Sequence, residues 1–153
     1  MSSVLKICIA HKASTTPILK DKINAIKGMG IEGDRYYLGQ GYWSDKSKPH
    51  QQISLIESEN VDFINLHFKN KFSYQDFRRN IITKNIRLNE LIGQNITVGQ
   101  SVLKVIKLRH PCLYLANLLK EDKELVKHLR LKGGIACEII KSGTIKNNDK
   151  IIS

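Results

Sequence analysis

Short runs of alternating apolar residues, rather than long amphipathic helices, dominate the sequence and limit the folds that it can adopt. VLKICIA at residues 4–10 alternates in period two, which predicts a strand. Residues 95–108, NITVGQSVLKVIKL, predict two strands joined at Gly99 and Gln100. IACEII and KIIS predict strands that close the chain, and KNND predicts the turn between GTI and KII.

Helical patterns are fewer and occur in two places. Residues 52–68 begin as a short strand and continue as a helix, and Ser54 and Glu57 have the spacing of a capping box. Residues 111–134 predict a helix in two pieces that ends at Gly133 and Gly134. The apolar stripe of the first helix comprises Val61, Ile64 and Phe68.

The arrangement of these elements predicts the fold class. Residues 22–51 carry several glycines and a proline, too many for a regular element, and indicate a long functional loop. Because strands outnumber helices and do not alternate regularly with them, we expect a mainly β fold. Its form would be a mostly antiparallel barrel or sandwich with two or three helices attached. The 153 residues show no repeat or linker, so residues 1–153 are predicted to form a single domain.

Composition and charge narrow the cellular setting and the partners. Hydrophobic residues make up 41% of the chain, yet no apolar run approaches the roughly 20 residues that cross a membrane. The apolar run at the N-terminus is too short and broken for a signal peptide, so we expect a cytoplasmic protein with no membrane partner. The net charge is +11, but the lysines are spread along the chain without aromatic interleaving. This pattern favours a solvated lysine background over nucleic-acid binding.

The three cysteines differ in their surroundings. Their odd number and wide spacing favour neither a disulfide framework nor a zinc site. Cys8 lies mid-strand and Cys137 shares strand parity with Ile135 and Ile139, so both are predicted to be buried.

Cys112 lies at a predicted helix start, directly after Pro111. Positive neighbours and the helix dipole stabilise a thiolate in such a position, and a thiolate attacks electrophiles or binds a soft metal. The alternative is plain packing, because Cys112 would share an apolar helix face with Leu115, Ala116 and Leu119. The local pattern alone favours packing. The flanking Arg109 and His110 receive no role beyond their charge.

Scarce arginines mark two further segments. In GMGIEGDRYYLG (28–39), Gly33 allows close backbone approach and Asp34 is followed by Arg35, which suits an anion such as phosphate. A glycine turn with a structural Asp34–Arg35 pair is an equal alternative. The segment is neither a dinucleotide fingerprint nor a P-loop.

The second segment is FRRNIITKNIRLNELIG (77–93). Arg78 and Arg79 would point to opposite faces of an extended chain, one toward a ligand and the other toward a carboxylate. Asn80 could hydrogen-bond the edge of a heterocycle. The alternative is a solvated basic pair before a strand. The glycine pair in LKGG (131–134) indicates either a helix C-cap or backbone lying close to a ligand.

Taken together, these segments resemble the MOSC domain, named for the C-terminal domain of molybdenum-cofactor sulfurase. The resemblance covers nearly the whole chain. Two positions depart from the family pattern, Tyr36 where many relatives have His and Gln51 where they usually show Arg. The matching pieces are, in order, GIEGDRYY (30–37), QQISLIESE (51–59), FRRNIITKNIRLNELIGQNITVGQSVLKV (77–105), HPC (110–112) and LKGGIACEIIKSGTIKNNDKI (131–151).

The resemblance implies a β-barrel-centred fold that holds the molybdenum–pyranopterin cofactor (molybdopterin). It implies that Cys112 is the protein thiolate on molybdenum and therefore both the catalytic residue and the metal ligand. The residues that the resemblance and the flagged segments place at the cofactor are Gly33, Asp34, Arg35, Arg78, Arg79, Asn80, Gly133 and Gly134.

The function that this resemblance implies is reduction of small N-hydroxylated molecules at their N–O bond by a molybdenum-dependent oxidoreductase. The chain lacks the additional domains of larger relatives, so we expect the electron donor to be a separate protein. A second hypothesis is a non-catalytic module that carries sulfur as a persulfide on Cys112 or delivers the cofactor. A third is a basic nucleic-acid-binding barrel, which would bind with steep salt dependence.

Overall fold

The computed structural model describes residues 1–13, 15–39, 49–67, 71–110, 117, 126–127 and 129–153. Within these ranges the chain is mainly β, with the α-helix α1 (Ser58–His67), 3-10 turns at Pro49–Gln51, Tyr74–Phe77 and Leu88–Leu91, and further helical residues at 117, 126–127 and 129. The strands are β1 (Ser3–Ile9), β2 (Ile18–Lys20), β3 (Lys22–Ile26), β4 (Gly30–Ile31), β5 (Ile53–Glu57), β6 (Ile81–Lys84), β7 (Asn95–Val98), β8 (Ser101–Leu108), β9 (Ile135–Lys141), β10 (Gly143–Lys146) and β11 (Ile151–Ile152).

The strands form two sheets. The larger has eight strands in the order β11-β7-β8-β9-β5-β6-β1-β2, and the smaller has the order β10-β3-β4. Neighbouring strands run antiparallel except β5 and β6, which are parallel. A mainly β, mostly antiparallel fold is therefore confirmed.

The prediction of a closed barrel is wrong, because the large sheet does not close on itself. The second half of β1 pairs with β2, which becomes the sheet edge. The first half of β1 meets the β11 end through an isolated bridge between Ser3 and Lys150, supported by a hydrogen bond from Ile151 N to Ser2 O at 3.1 Å. In the described ranges, no helix is long and apolar enough to cross a membrane.

Two apolar clusters hold these layers together. The larger lies between the sheets, where Ile23 and Ile145 of the small sheet pack with residues such as Ile7 and Cys137 of the large one. The smaller lies under α1, whose Val61 and Ile64 are buried as the apolar stripe predicted. Phe68, the third residue of that stripe, lies outside the described residues. Cys8 and Cys137 are fully buried, which confirms the expectation from strand parity.

Local patterns were right for some elements and wrong for others. The β7–β8 hairpin turns at Gly99 and Gln100 as predicted, and the KNND turn lies between β10 and β11. The capping box at Ser54 and Glu57 is wrong, because both residues belong to strand β5. The loop assigned to residues 22–51 is wrong in part, because it contains β3 and β4, which are held by pairing with each other and with the distant β10. Most of the helix predicted over 111–134 lies outside the described residues, and within that range the described residues 117, 126–127 and 129 are helical.

Candidate functional site

The turn after β4 places an acidic–basic pair against the end of β1. Gly33 has a φ of +89°, a left-handed conformation that glycine adopts without strain. Asp34 then accepts a hydrogen bond from Ala10 N through Oδ1 at 3.1 Å, while Arg35 N donates to Ala10 O at 2.6 Å. These two bonds attach the turn to β1.

Asp34 and Arg35 form a buried ion pair. Asp34 is 0% exposed and Arg35 is 6% exposed, and Arg35 Nη1 lies 3.4 Å from Asp34 Oδ1. Tyr36 N also faces Asp34 Oδ2 at 3.5 Å, and the Arg35 guanidinium stacks 4.7 Å from the centre of the Tyr36 ring. The structural Asp–Arg pair weighed as an alternative is thus present, and it also fixes the direction of the Arg35 guanidinium.

Arg78 comes from the 3-10 turn that precedes β6. Its φ of 59° is left-handed, a conformation that costs a non-glycine residue roughly 1–2 kcal/mol, so the surrounding structure must hold it there. Its guanidinium donates to the carbonyl oxygens of Thr15 and Lys12. Partial burial, followed by the nearby positive charge of Arg35, lowers the pKa of Arg78.

The side chains of Arg79 and Asn80 connect strands and loops through hydrogen bonds. Arg79 is buried and donates to three carbonyl oxygens, Gly133 O at 2.8 Å, Phe77 O at 3.2 Å and His110 O. Asn80 Oδ1 accepts from Ser54 N at 3.0 Å and from Ser54 Oγ at 3.2 Å. Through Nδ2, Asn80 donates to Cys8 O at 3.3 Å, so this amide joins β1, β5 and β6.

The glycine pair at 133–134 lies beside the same arginines. Gly134 has a φ of +93°, and a Cβ there would run into the carbonyl oxygen of Leu55. Gly134 O accepts from Arg109 N at 2.8 Å, whereas Gly133 O accepts from Arg79. Close backbone packing thus requires glycine at 134 and brings this segment to the arginines.

Arg109 belongs to the site although sequence reasoning left it without a role. Burial is the main cause that lowers the pKa of its guanidinium, and the positive charge of Arg35 adds to the effect. The electrostatic interaction and the side-chain hydrogen bond with Tyr36 raise the pKa of Arg109 in the opposite direction. The negative charge of Asp34 also raises it. The signal in the sequence that could have indicated a role for Arg109 was the scarcity of arginine in a lysine-rich chain. Four of the six arginines, Arg35, Arg78, Arg79 and Arg109, belong to the segments that form this site.

The arginine cluster, defined here as Arg35, Arg78 and Arg109, carries more positive than negative charge. Among the described residues, the carboxylate that interacts electrostatically with these arginines is that of Asp34. Three guanidinium charges and one carboxylate charge leave an excess of two positive charges. Guanidinium groups bind carboxylate and phosphate through paired N–H donors. The arrangement is therefore suited to an anionic group.

The thiols of the two described cysteines, Cys8 and Cys137, are buried and have raised pKa values. Burial raises the pKa of Cys8 to about 12, and its Sγ lies 2.9 Å from Arg79 O as a donor. Burial also raises the pKa of Cys137. Both thiols therefore stay protonated at neutral pH. Cys112 lies outside the described residues, and in the part of the chain that is described no three His, Cys, Asp or Glu side chains are grouped to hold a metal.

Fold and site together define a class of protein, a small and mostly antiparallel β domain with a partly buried arginine cluster. The model of the MOSC domain matches residues 44–152, and the chain belongs to this family. No curated protein matches the sequence significantly.

Solved structures share the fold at low sequence identity. The YuaD protein of Bacillus subtilis is 20% identical with a TM-score of 0.75, over 99% of this chain and 94% of that one. YiiM of Geobacillus stearothermophilus is 13% identical with a TM-score of 0.73, over 99% and 74% of the two chains. YiiM of Escherichia coli is 16% identical with a TM-score of 0.63, over 97% and 69%.

Proposed function

We propose that this protein binds the molybdenum cofactor and reduces small N-hydroxylated molecules at their N–O bond. MOSC domains are generally associated with binding of this cofactor, and the chain belongs to that family. The observation that carries the proposal is the excess positive charge of the arginine cluster, because the pterin ends in a phosphate.

The residues around the cluster fit an anionic, polar cofactor. Arg35, Arg78 and Arg109 would hold the phosphate, and an anion among them would relieve the mutual repulsion that contributes to lowering the pKa of Arg78 and Arg109. Asp34 keeps Arg35 in place through their 3.4 Å contact. The backbone of Gly33, Gly133 and Gly134 would border the cofactor.

Arg79 and Asn80 would act as positioning residues, because they hold the protein segments that would bind the cofactor. Arg79 ties the Gly133 carbonyl to the His110 carbonyl, and Asn80 joins three strands of the large sheet. In the proposal Cys112, two residues after His110, supplies the protein thiolate to molybdenum, a soft-ligand role that the buried thiols of Cys8 and Cys137 cannot fill.

The reaction must add two electrons and two protons to an N-hydroxylated compound and release the amine and water. When bound, the cofactor would supply the two-electron chemistry at the oxygen, and a separate electron-donor protein would reduce it. The protein itself would bind and orient the cofactor and substrate.

The test begins with molybdenum analysis of protein expressed in a host that makes the cofactor. We expect about one molybdenum per chain and reduction of benzamidoxime to benzamidine with a chemical or protein reductant. Cys112→Ala should abolish reduction, while Cys137→Ala, which changes a core thiol, should retain it. Full activity in Cys112→Ala would refute the role of this thiol.

Mass spectrometry of the same sample separates the reductase from the carrier. A stable sulfur adduct on Cys112 in protein without molybdenum would overturn the reductase proposal and support sulfur transfer.

A further inference from the structure

A groove of about 830 Å³ opens beside Gly33. Its walls come from the end of β1, the β2–β3 segment and the turn after β10, and Ile9 and Ile23 are the apolar residues that line it. Ligand sites in proteins typically have volumes of about 300–1,000 Å³. The groove is therefore large enough for a small molecule, and Gly33 joins it to the Asp34–Arg35 pair.

Two lysines face each other across one wall of the groove. In the antiparallel pairing of β3 with β10, Lys22 lies directly opposite Lys146. Like charges in this register destabilise a sheet. Lys20, at the end of β2, lines the same groove. Within the described part of the chain none of these three lysines forms a direct ion pair, and the two carboxylates that line the groove, Asp21 and Glu32, leave an excess of one positive charge.

A polar atom at the same place lacks a hydrogen-bond partner. Asn147 Oδ1 is buried, and no donor reaches it among the residues that the structure describes. Asn147 follows Lys146 directly and lines the groove, and its backbone N donates to Asp21 O at 3.0 Å, which holds the turn in place. Buried acceptors are nearly always satisfied in folded proteins. Because Oδ1 is buried, the Asn147 amide would have to rotate toward the groove for a ligand N–H or O–H group to satisfy it.

We propose that this groove binds the substrate, and that the substrate carries a single anionic group together with an N–H or O–H donor. Lys22 and Lys146, with Lys20 beside them, recognise the anion, and Asn147 Oδ1 accepts from the donor. The carboxylates of Asp21 and Glu32 also line the groove and disfavour ligands with several negative charges. The inference rests on the proposed reductase function, because it places the reducible end of the substrate near Gly33.

The experiment measures binding to the full chain by isothermal titration calorimetry at low ionic strength. The probes are 4-carboxybenzamidoxime, which is anionic, benzamidoxime, which is neutral, and 4-(aminomethyl)benzamidoxime, which is cationic. We expect the anionic probe to bind at least about tenfold more tightly than the neutral one, and the cationic probe to bind most weakly.

Substitutions test whether the groove is responsible for the tighter binding of the anionic probe. The double change Lys22→Gln and Lys146→Gln should remove most of the advantage of the anionic probe and leave the neutral probe unaffected. Its melting temperature should be unchanged or higher, because the change removes a repulsion. The matched control, Lys104→Gln with Lys107→Gln, changes two exposed lysines of β8 outside the groove and should leave all affinities unchanged. Asn147→Ala should weaken the anionic and neutral probes alike.

The outcomes distinguish this inference from the proposed function. Equal affinity for the anionic and neutral probes would overturn the groove assignment, whereas molybdenum content and benzamidoxime reduction would be untouched. If the lysine double variant lost molybdenum but kept its preference for the anionic probe, the lysines would serve the cofactor phosphate and the substrate assignment would be wrong. Protein that never contains molybdenum, yet prefers the anionic probe through these lysines, would refute the reductase and leave the anion-binding groove standing.

Discussion

The buried pair of Asp34 and Arg35 leads to a quantitative prediction for the substitution Asp34→Asn. The asparagine amide keeps the shape of the side chain and an acceptor for Ala10 N, but it removes the charge opposite the Arg35 guanidinium. The substitution also raises the excess charge of the arginine cluster. We therefore expect the variant to fold with reduced stability.

The size of the stability loss follows from the distance between the two charges. At the 3.4 Å separation of Arg35 Nη1 and Asp34 Oδ1, Coulomb's law with an effective dielectric constant of about 20 gives an attraction of about 5 kcal/mol. Removing one partner of a buried pair generally costs about 3–5 kcal/mol. Because the amide retains a hydrogen bond, we expect a loss near the lower end, about 3 kcal/mol. For a domain of this size the melting temperature should fall by roughly 6–12 °C.

A double-mutant cycle in urea isolates the pair. The variants are Asp34→Asn, Arg35→Gln and the double substitution, each measured for its free energy of unfolding. The double variant should be more stable than the sum of the single losses predicts, with a coupling energy of at least about 1 kcal/mol. Additivity within about 0.5 kcal/mol would refute the conclusion that Asp34 acts mainly through the charge of Arg35.

Two further predictions concern backbone packing and a buried thiol. Gly134→Ala should destabilise the protein by about 2 kcal/mol or more in urea denaturation, because the new Cβ meets the Leu55 carbonyl. Gly28→Ala is its control, since that glycine has a similar φ but open space around it, and an equal loss in both variants would contradict the packing argument. Cys8, whose pKa burial raises from 9.0 to about 12, should resist iodoacetamide at pH 8 in the native protein. The folded state favours the protonated thiol, so the contribution of Cys8 to the free energy of unfolding should be lost as the pH rises from about 9 to 12. Rapid alkylation of native Cys8, detected by peptide mass spectrometry, would show that the thiol is accessible.

Local sequence patterns were sufficient where the structure depends on neighbouring residues. The period-two alternation of VLKICIA predicts β1, and the same parity argument places Cys137 in the core. Gly99 adopts a left-handed φ of +58° in the β7–β8 hairpin, and this requirement can be recognised in a sequence without knowledge of the rest of the chain.

Other elements were decided by partners that lie far along the chain. Ser54 and Glu57 match a capping box, yet β5 lies between β6 and β9, and the sheet hydrogen bonds keep both residues extended. The glycines and the proline of residues 22–51 predict a loop, yet β3 forms within this segment because it pairs with β10, which lies near the other end of the sequence. Local propensity contains no information about such a pairing.

The candidate site shows the same division. The sequence by itself determined which residue types were available: scarce arginines in separate segments, a glycine pair at 133–134, and a third cysteine, Cys112, directly after Pro111. Only the tertiary structure brought Arg35, Arg78 and Arg109 within electrostatic reach of one carboxylate, Asp34, and set Lys22 opposite Lys146. The physical reason is that charge–charge interactions depend on distance in space, and distance in space follows from strand pairing and burial rather than from order along the chain.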